Sequence, residues 1–179
     1  MNSNNRKYYF QALDNFPFNM EETIEALNYA LSYDEKDSDC LVLMGKVYAE
    51  VMEEYETAKE YFQMAMNYNI NNLKIYAPYA ECLILNEDID EAEKLIDFAM
   101  KIKGIDKAGL WLNKAKIADL DQNKRLINRY IKEAKLFAKT VEQIDSIENY
   151  ENFIERKYPK NVSRKKPTTS KSTKKLSSN

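Results

Sequence analysis

The sequence predicts an all-α protein: a solenoid of about four helix-turn-helix units, a closing helix and a loose basic tail. Three observations predict it. Apolar residues stand three or four apart, the spacing of one face of a helix. That pattern returns after 34 or 35 residues, the mark of stacked units rather than one folded sheet. Only three Gly and four Pro in 179 residues leave helices little interrupted, and no strand-type alternation competes.

Residues 39–70 state the plan most clearly. Leu41, Met44, Gly45 and Tyr48 form one helical face, and Tyr55, Ala58, Phe62 and Ala65 form a second. Gly45, Ala58 and Ala65 are small, so two backbones can come close while Tyr48 and Phe62 fill the space beside them. Shifted back by 35, Ala58, Phe62 and Ala65 fall on Thr23, Leu27 and Ala30; shifted forward by 34, they fall on Ala92, Ile96 and Ala99. Leu41, Met44, Gly45 and Tyr48 move by 35 onto Tyr76, Tyr79, Ala80 and Leu83. A single pair could not bury its outer faces; neighbours at a fixed interval do.

These residues resemble the tetratricopeptide repeat, a unit of about 34 residues with Trp-Leu-Gly-Tyr in its first helix and Ala-Phe-Ala in its second. Leu41 and Tyr76 stand at the opening slot, Met44-Gly45 at the Leu-Gly step, and Ala58, Phe62 and Ala65 at the second-helix run. The units are bounded at about 5–36, 38–71, 73–104 and 106–139. The resemblance implies a right-handed solenoid whose first helices line a concave groove. Two departures stand out: the unit-closing proline is replaced by Glu35, Ile70 and Gly104, and the turn inside the central unit is one residue longer than usual.

In chain order, residues 1–4 are polar and expected to fray. Residues 6–15 form a helix with Tyr9, Phe10, Leu13 and Phe16 as its apolar stripe, closed by Pro17. Asn19 with Glu22 starts the next helix, which runs to about Tyr33. Ser38 or Asp39 caps the central unit's first helix, and Asn67 to Asn72 is a polar turn. Pro78 is absorbed if the third unit's first helix begins near Lys74. Asp88 starts the following helix and Gly104 stops it. Asp106 caps a helix with Leu110, Trp111, Ala115 and Ala118, and Leu126, Ile127, Tyr130, Ile131, Ala134, Leu136 and Phe137 mark its partner. Thr140 and Gln143 make a capping box for a helix over 141–158, carrying Val141, Ile144, Ile147, Ile154 and Tyr158. A stack needs such an end cap to keep its last apolar face from water.

After Pro159 the composition changes: residues 159–179 hold six Lys and one Arg with no acid, too polar to fold. Without those seven, 20 basic residues face 29 acidic ones. Residues 1–100 carry 20 acids against 7 bases, and 101–140 carry 11 bases against 4 acids, so the two ends suit different partners. The start shows no signal-peptide run and nowhere is there a membrane-length apolar stretch, which implies a soluble, cytoplasmic chain. Cys40 and Cys82 sit in different units outside any CxxC, as free thiols in a reducing compartment.

Catalysis is not expected. His is absent, which removes the commonest general base and metal ligand. Gly45, Gly104 and Gly109 build no phosphate loop. The cluster Glu87, Asp88, Asp90, Glu91 and Glu93 faintly resembles a calcium loop, but Ala92 and Glu93 take ligand places, and capping on a solvated face explains it. No cofactor and no metal is implied.

Binding remains. In the groove that the resemblance implies, the outward positions are Tyr8 and Ala12; Val42, Lys46, Ala49 and Glu50; Ala77, Glu81 and Ile84; and Leu112, Asn113 and Lys116. An apolar middle with spaced charges suits an amphipathic peptide or helix of a protein partner. Related repeats that grip the carboxyl terminus of heat-shock chaperones use a Lys, Asn and Arg clamp; Leu43 and Pro78 stand at its central Asn and final Arg, so Lys46 and Lys74 alone do not complete it. The rival reading is weak nucleic-acid or anionic-surface binding through Arg164, Lys165 and Lys166 of the tail, extended by Lys124, Arg125, Arg129 and Lys132. Self-association through a terminal face is the third.

Overall fold

The computed structural model describes residues 3–159, with side chains from Asn5 onward. The tail over 160–179, with Arg164, Lys165 and Lys166, lies outside the described residues, as do Met1 and Asn2. The described chain is all-α: α1 (Ser3–Asn15), α2 (Met20–Tyr33), α3 (Ser38–Lys46), α4 (Tyr55–Tyr68), α5 (Tyr76–Leu85), α6 (Ile89–Ala99), α7 (Lys107–Leu120), α8 (Lys124–Phe137) and α9 (Val141–Lys157). A π-helical turn over Val47–Val51 extends α3. Consecutive helices pack as hairpins, α1 with α2, α3 with α4, α5 with α6 and α7 with α8, and each hairpin touches the next in the chain.

Small residues decide how closely each pair approaches. Ala12, Gly45, Ala80 and Ala115 are all buried on the odd-numbered helices. Facing them on the even-numbered helices are Leu27 and Ala30, Phe62 and Ala65, Ile96 and Ala99, and Ile131 and Ala134. Ala58, Ala65, Ala92 and Ala99 are fully buried. At Gly45 an added Cβ would lie 2.9 Å from the Phe62 ring, which itself stacks on Tyr79 at 5.3 Å between centroids. Burial of each large apolar side chain here is worth about 1.5–3 kcal/mol.

The turns inside the second, third and fourth hairpins share one geometry. Glu53, Glu87 and Gln122 adopt left-handed backbone angles, with φ of 56°, 64° and 54°. The next amide closes each turn: Asp88 N donates to Leu83 O at 2.9 Å and Asn123 N to Ala118 O at 3.0 Å. In the second hairpin the bond runs from Glu54 N to Tyr48 O, one residue longer. The π-helical turn holds the surplus residue, since a π turn is an α turn with one residue inserted.

Several local expectations change. α1 begins at Ser3, and its buried stripe is Tyr9 and Ala12, while Phe10 and Leu13 stay largely exposed. The cap of α3 is Asp37, which accepts from the amides of Asp39 and Cys40, because the Asp39 carboxylate is engaged across hairpins. α5 starts at Tyr76, which leaves Pro78 in the first turn, where its missing N–H costs no helical bond. Asp88 stands at the start of α6 without a side-chain cap bond; its carboxylate instead meets Lys59 at 2.6 Å and Asn86 at 2.7 Å. Leu136 of α8 and Val141 and Ile144 of α9 face solvent. Asn19, Asp106 and Thr140 cap α2, α7 and α9, the last as a full capping box with Gln143. Gly104, at φ +86°, ends the turn after α6. Cys40 and Cys82 are free and buried.

A candidate binding trough on the odd-numbered helices

Polar side chains tie each odd-numbered helix to the next. Arg6 and Lys74 both meet Asp39 Oδ2, at 3.1 and 3.2 Å, while Asn72 donates to Asp39 Oδ1 at 3.0 Å. Asn113 Nδ2 donates to Ala77 O at 2.8 Å, and Lys116 pairs with Glu81. Gln143 Nε2 donates to Asp106 Oδ2 at 2.7 Å, and Lys157 and Tyr158 both donate to the buried Asp119 carboxylate, each at 2.9 Å to its Oδ1. The partners of these interhelical ties stand 33 to 39 residues apart, one sequence interval.

Between these ties runs a trough of about 620 Å³. Tyr9 and Leu13 of α1, Val42, Leu43 and Lys46 of α3, and Glu50 line one part of it. Lys74, Ala77, Pro78 and Glu81 follow, then Gly109, Leu112 and Asn113 of α7. An adjoining hollow carries it past Lys116 onto Ser146, Tyr150 and Phe153 of α9. Gly109 lets α7 come close to α5 at the floor: a Cβ there would sit 3.0 Å from the Ala77 Cβ. Its charges are mostly spent on one another. Burial pushes the Glu50 carboxyl up against the opposing pull of Lys46, 3.5 Å away, and neighbouring Glu81 adds to the rise.

Of the twelve residues expected to face outward, Val42, Lys46, Glu50, Ala77, Glu81, Leu112 and Asn113 line the trough, and Lys116 lines its continuation. Val42, Leu112 and Asn113 do so as nearly buried floor. Four lie elsewhere. Ala12 is fully buried among Ala26, Leu27 and Ala30; Tyr8 stacks on Tyr29 and Tyr33 of α2; Ala49 and Ile84 pack into the central core. The α1 positions are off by one because its hairpin is shorter. From the small slot to the facing helix is 11 residues at Ala12–Thr23, 13 at Gly45–Ala58 and 12 at Ala80–Ala92. Tyr9 and Leu13 take the trough positions instead. Leu43, Lys74, Pro78 and Ser146 were also missed as lining; the signal was there, since Leu43, Pro78 and Asn113 repeat at 35.

The candidate anion-binding residues divide. Lys124 and Lys132 line a groove between α8 and α9, whereas Arg125 and Arg129 project from the outer face of α8. Among the described residues no group of three or more His, Cys, Asp or Glu is gathered as a metal site, and no helix is long and apolar enough to cross a membrane. Of the acidic cluster at the α5–α6 turn, Asp88 is held by Lys59 and Asn86. No protein-family model matches the chain, and no curated protein matches it in sequence.

Proposed function

We propose that the chain is a non-catalytic interaction module: a right-handed solenoid of about four tetratricopeptide-like units, closed by α9, that holds a peptide or helix of a protein partner in the trough. The carrying observation is the trough itself, whose lining residues stand on five successive odd-numbered helices and whose ionic side chains are already paired to each other. A groove that has neutralised its own charges gains little from a singly charged ligand. Its exposed Leu13 and Phe153 and half-buried Pro78 favour an amphipathic segment, with affinity from apolar burial at a few anchors. The same residues argue against capture of a chaperone carboxyl terminus, since Leu43 and Pro78 offer no donor to a carboxylate.

The test is selection from a displayed peptide library on the full chain, then titration of the selected peptide by fluorescence anisotropy. Leu13→Glu and Ser146→Arg, both at exposed wall positions, are expected to weaken binding at least about tenfold, the effect of losing one anchor. Lys94→Glu on α6, outside the trough, leaves it unchanged. Selected peptides insensitive to both wall variants would remove this reading.

A further inference from the structure

Two helices near opposite ends of the series, α2 and α8, carry opposite, unspent charge. α2 has Glu21, Glu22 and Glu25 and no basic residue, and none of the three forms an ion pair among the described residues. Opposite its buried Thr23 and Leu27 stand Glu22, Glu25 and the half-exposed Tyr29 and Tyr33, with Tyr8 of α1 stacked on both rings. α8 reverses this: five basic residues and one acid, with Arg125, Arg129 and Lys132 unpaired among the described residues.

Between α8 and α9 lies a groove of about 510 Å³. Its floor is Ile131 and Ile154, and Lys124, Asn128 and Lys132 form one wall, with the Lys124 ammonium 4.6 Å above the Tyr158 ring. Glu151 on the other wall is already held by Lys135, and Glu155 has a contact of its own. Earlier in the chain the equivalent step, α4 followed by α5, is flanked by α6, whose Leu95 and Phe98 border one hollow with Met66 of α4 and Tyr79 and Leu83 of α5. Beside α8 and α9 no described helix takes that place.

We infer that this groove receives α2 of a second copy, joining chains head to tail. The occupant follows from charge and shape: a helix with an aromatic ridge and acids beside it, against an apolar floor with bases beside it. Residues 160–179 carry six Lys and one Arg and no acid, so their charge matches the groove's and disfavours them as its filling. Because the two faces differ, the contact is heterologous and need not stop at two copies.

Sedimentation velocity of the full chain tests this, over a range of concentrations at about 0.01 M and about 1 M salt, where the screening length is about 30 and about 3 Å. The weight-average mass is expected to rise with concentration at low salt and to fall back in high salt. Glu22→Lys/Glu25→Lys and Lys124→Glu/Lys132→Glu should each weaken association at least about tenfold, as reversal of close interfacial charges does. Mixing the two should restore it, since each lends the face the other lost. Thermal melts of both variants check the fold, and the rescue on mixing excludes misfolding as the cause of loss. A wild-type chain that stays monomeric overturns the inference, as does association that neither variant weakens or that mixing fails to rescue. Oligonucleotide binding by a monomer, lost in Lys124→Glu/Lys132→Glu, would assign the groove to nucleic acid and sink the inference equally.

Discussion

Asp39 is the residue on which three hairpins meet. Burial alone would push its carboxyl up, but the Arg6 hydrogen bond, the Lys74 charge and the Asn72 donor outweigh it and hold it below the usual carboxylate range. A carboxyl depressed in the folded state stabilises fully above its unfolded value of about 4, and the contribution fades as pH falls below that. Asp39→Asn is therefore expected to lose about 1–3 kcal/mol at neutral pH, the worth of a charge-assisted hydrogen bond. The gap to wild type should narrow in urea titrations near pH 3; a gap independent of pH would refute the ionic account. At Gly45 two effects compete. Alanine would gain about 1 kcal/mol of helix propensity, yet its Cβ would strike three ring carbons of Phe62 within 3.0 Å, and that ring is fully buried against Tyr79. Overpacking of about 1–3 kcal/mol wins where the neighbour cannot withdraw. Gly45→Ala should lower the urea midpoint, and Gly45→Val lower it further.

At the scale of elements, the left-handed residue in each turn is a cost. Glu53, Glu87 and Gln122 hold backbone angles that glycine adopts freely. Gln122→Gly is expected to raise stability by about 0.5–1 kcal/mol, read as a higher urea midpoint, because the folded turn no longer strains a Cβ. Ala12 in the α1–α2 hairpin, where no residue has positive φ, marks the contrast: one residue fewer in the turn rotates α1 and brings Tyr9 and Leu13 to the trough. α9 is secured at both ends, by the Thr140–Gln143 box and by Lys157 and Tyr158 on Asp119. Asp119 is 8% exposed but the Lys157 side chain is 41% exposed, so solvent screens this tie in part.

Across the whole molecule the core falls into three clusters, one under the first helices, one central and one under α7 to α9. Cys40 belongs to the first and Cys82 to the second. Burial lifts the Cys82 thiol to about 11 and the Cys40 thiol further, with Asp37 adding to the latter. Neither should react with a thiol reagent in the native state. A terminal hairpin packs against one neighbouring hairpin where an inner one packs against two, so it opens first. In sub-denaturing urea Cys40, covered by Asn5 of α1, is expected to label before Cys82, measured by mass spectrometry of the alkylated peptides. Simultaneous labelling would mean that the clusters open as one.

The sequence by itself determined the helices, the interval at which they pair and the small residues that let them close, because each is written in a local period that any short window displays. Only the tertiary structure decided which side chains reach the trough and which charges are spent. Ala12 and Tyr8 look as available as Leu13 in the linear pattern, and Asp39 looks like a cap. The facing of a helix depends on the length of the turn before its partner, and the pairing of a charge depends on what the next hairpin brings beside it. Those distances are set between hairpins whose tied residues stand about 35 apart, beyond the reach of any single helical window.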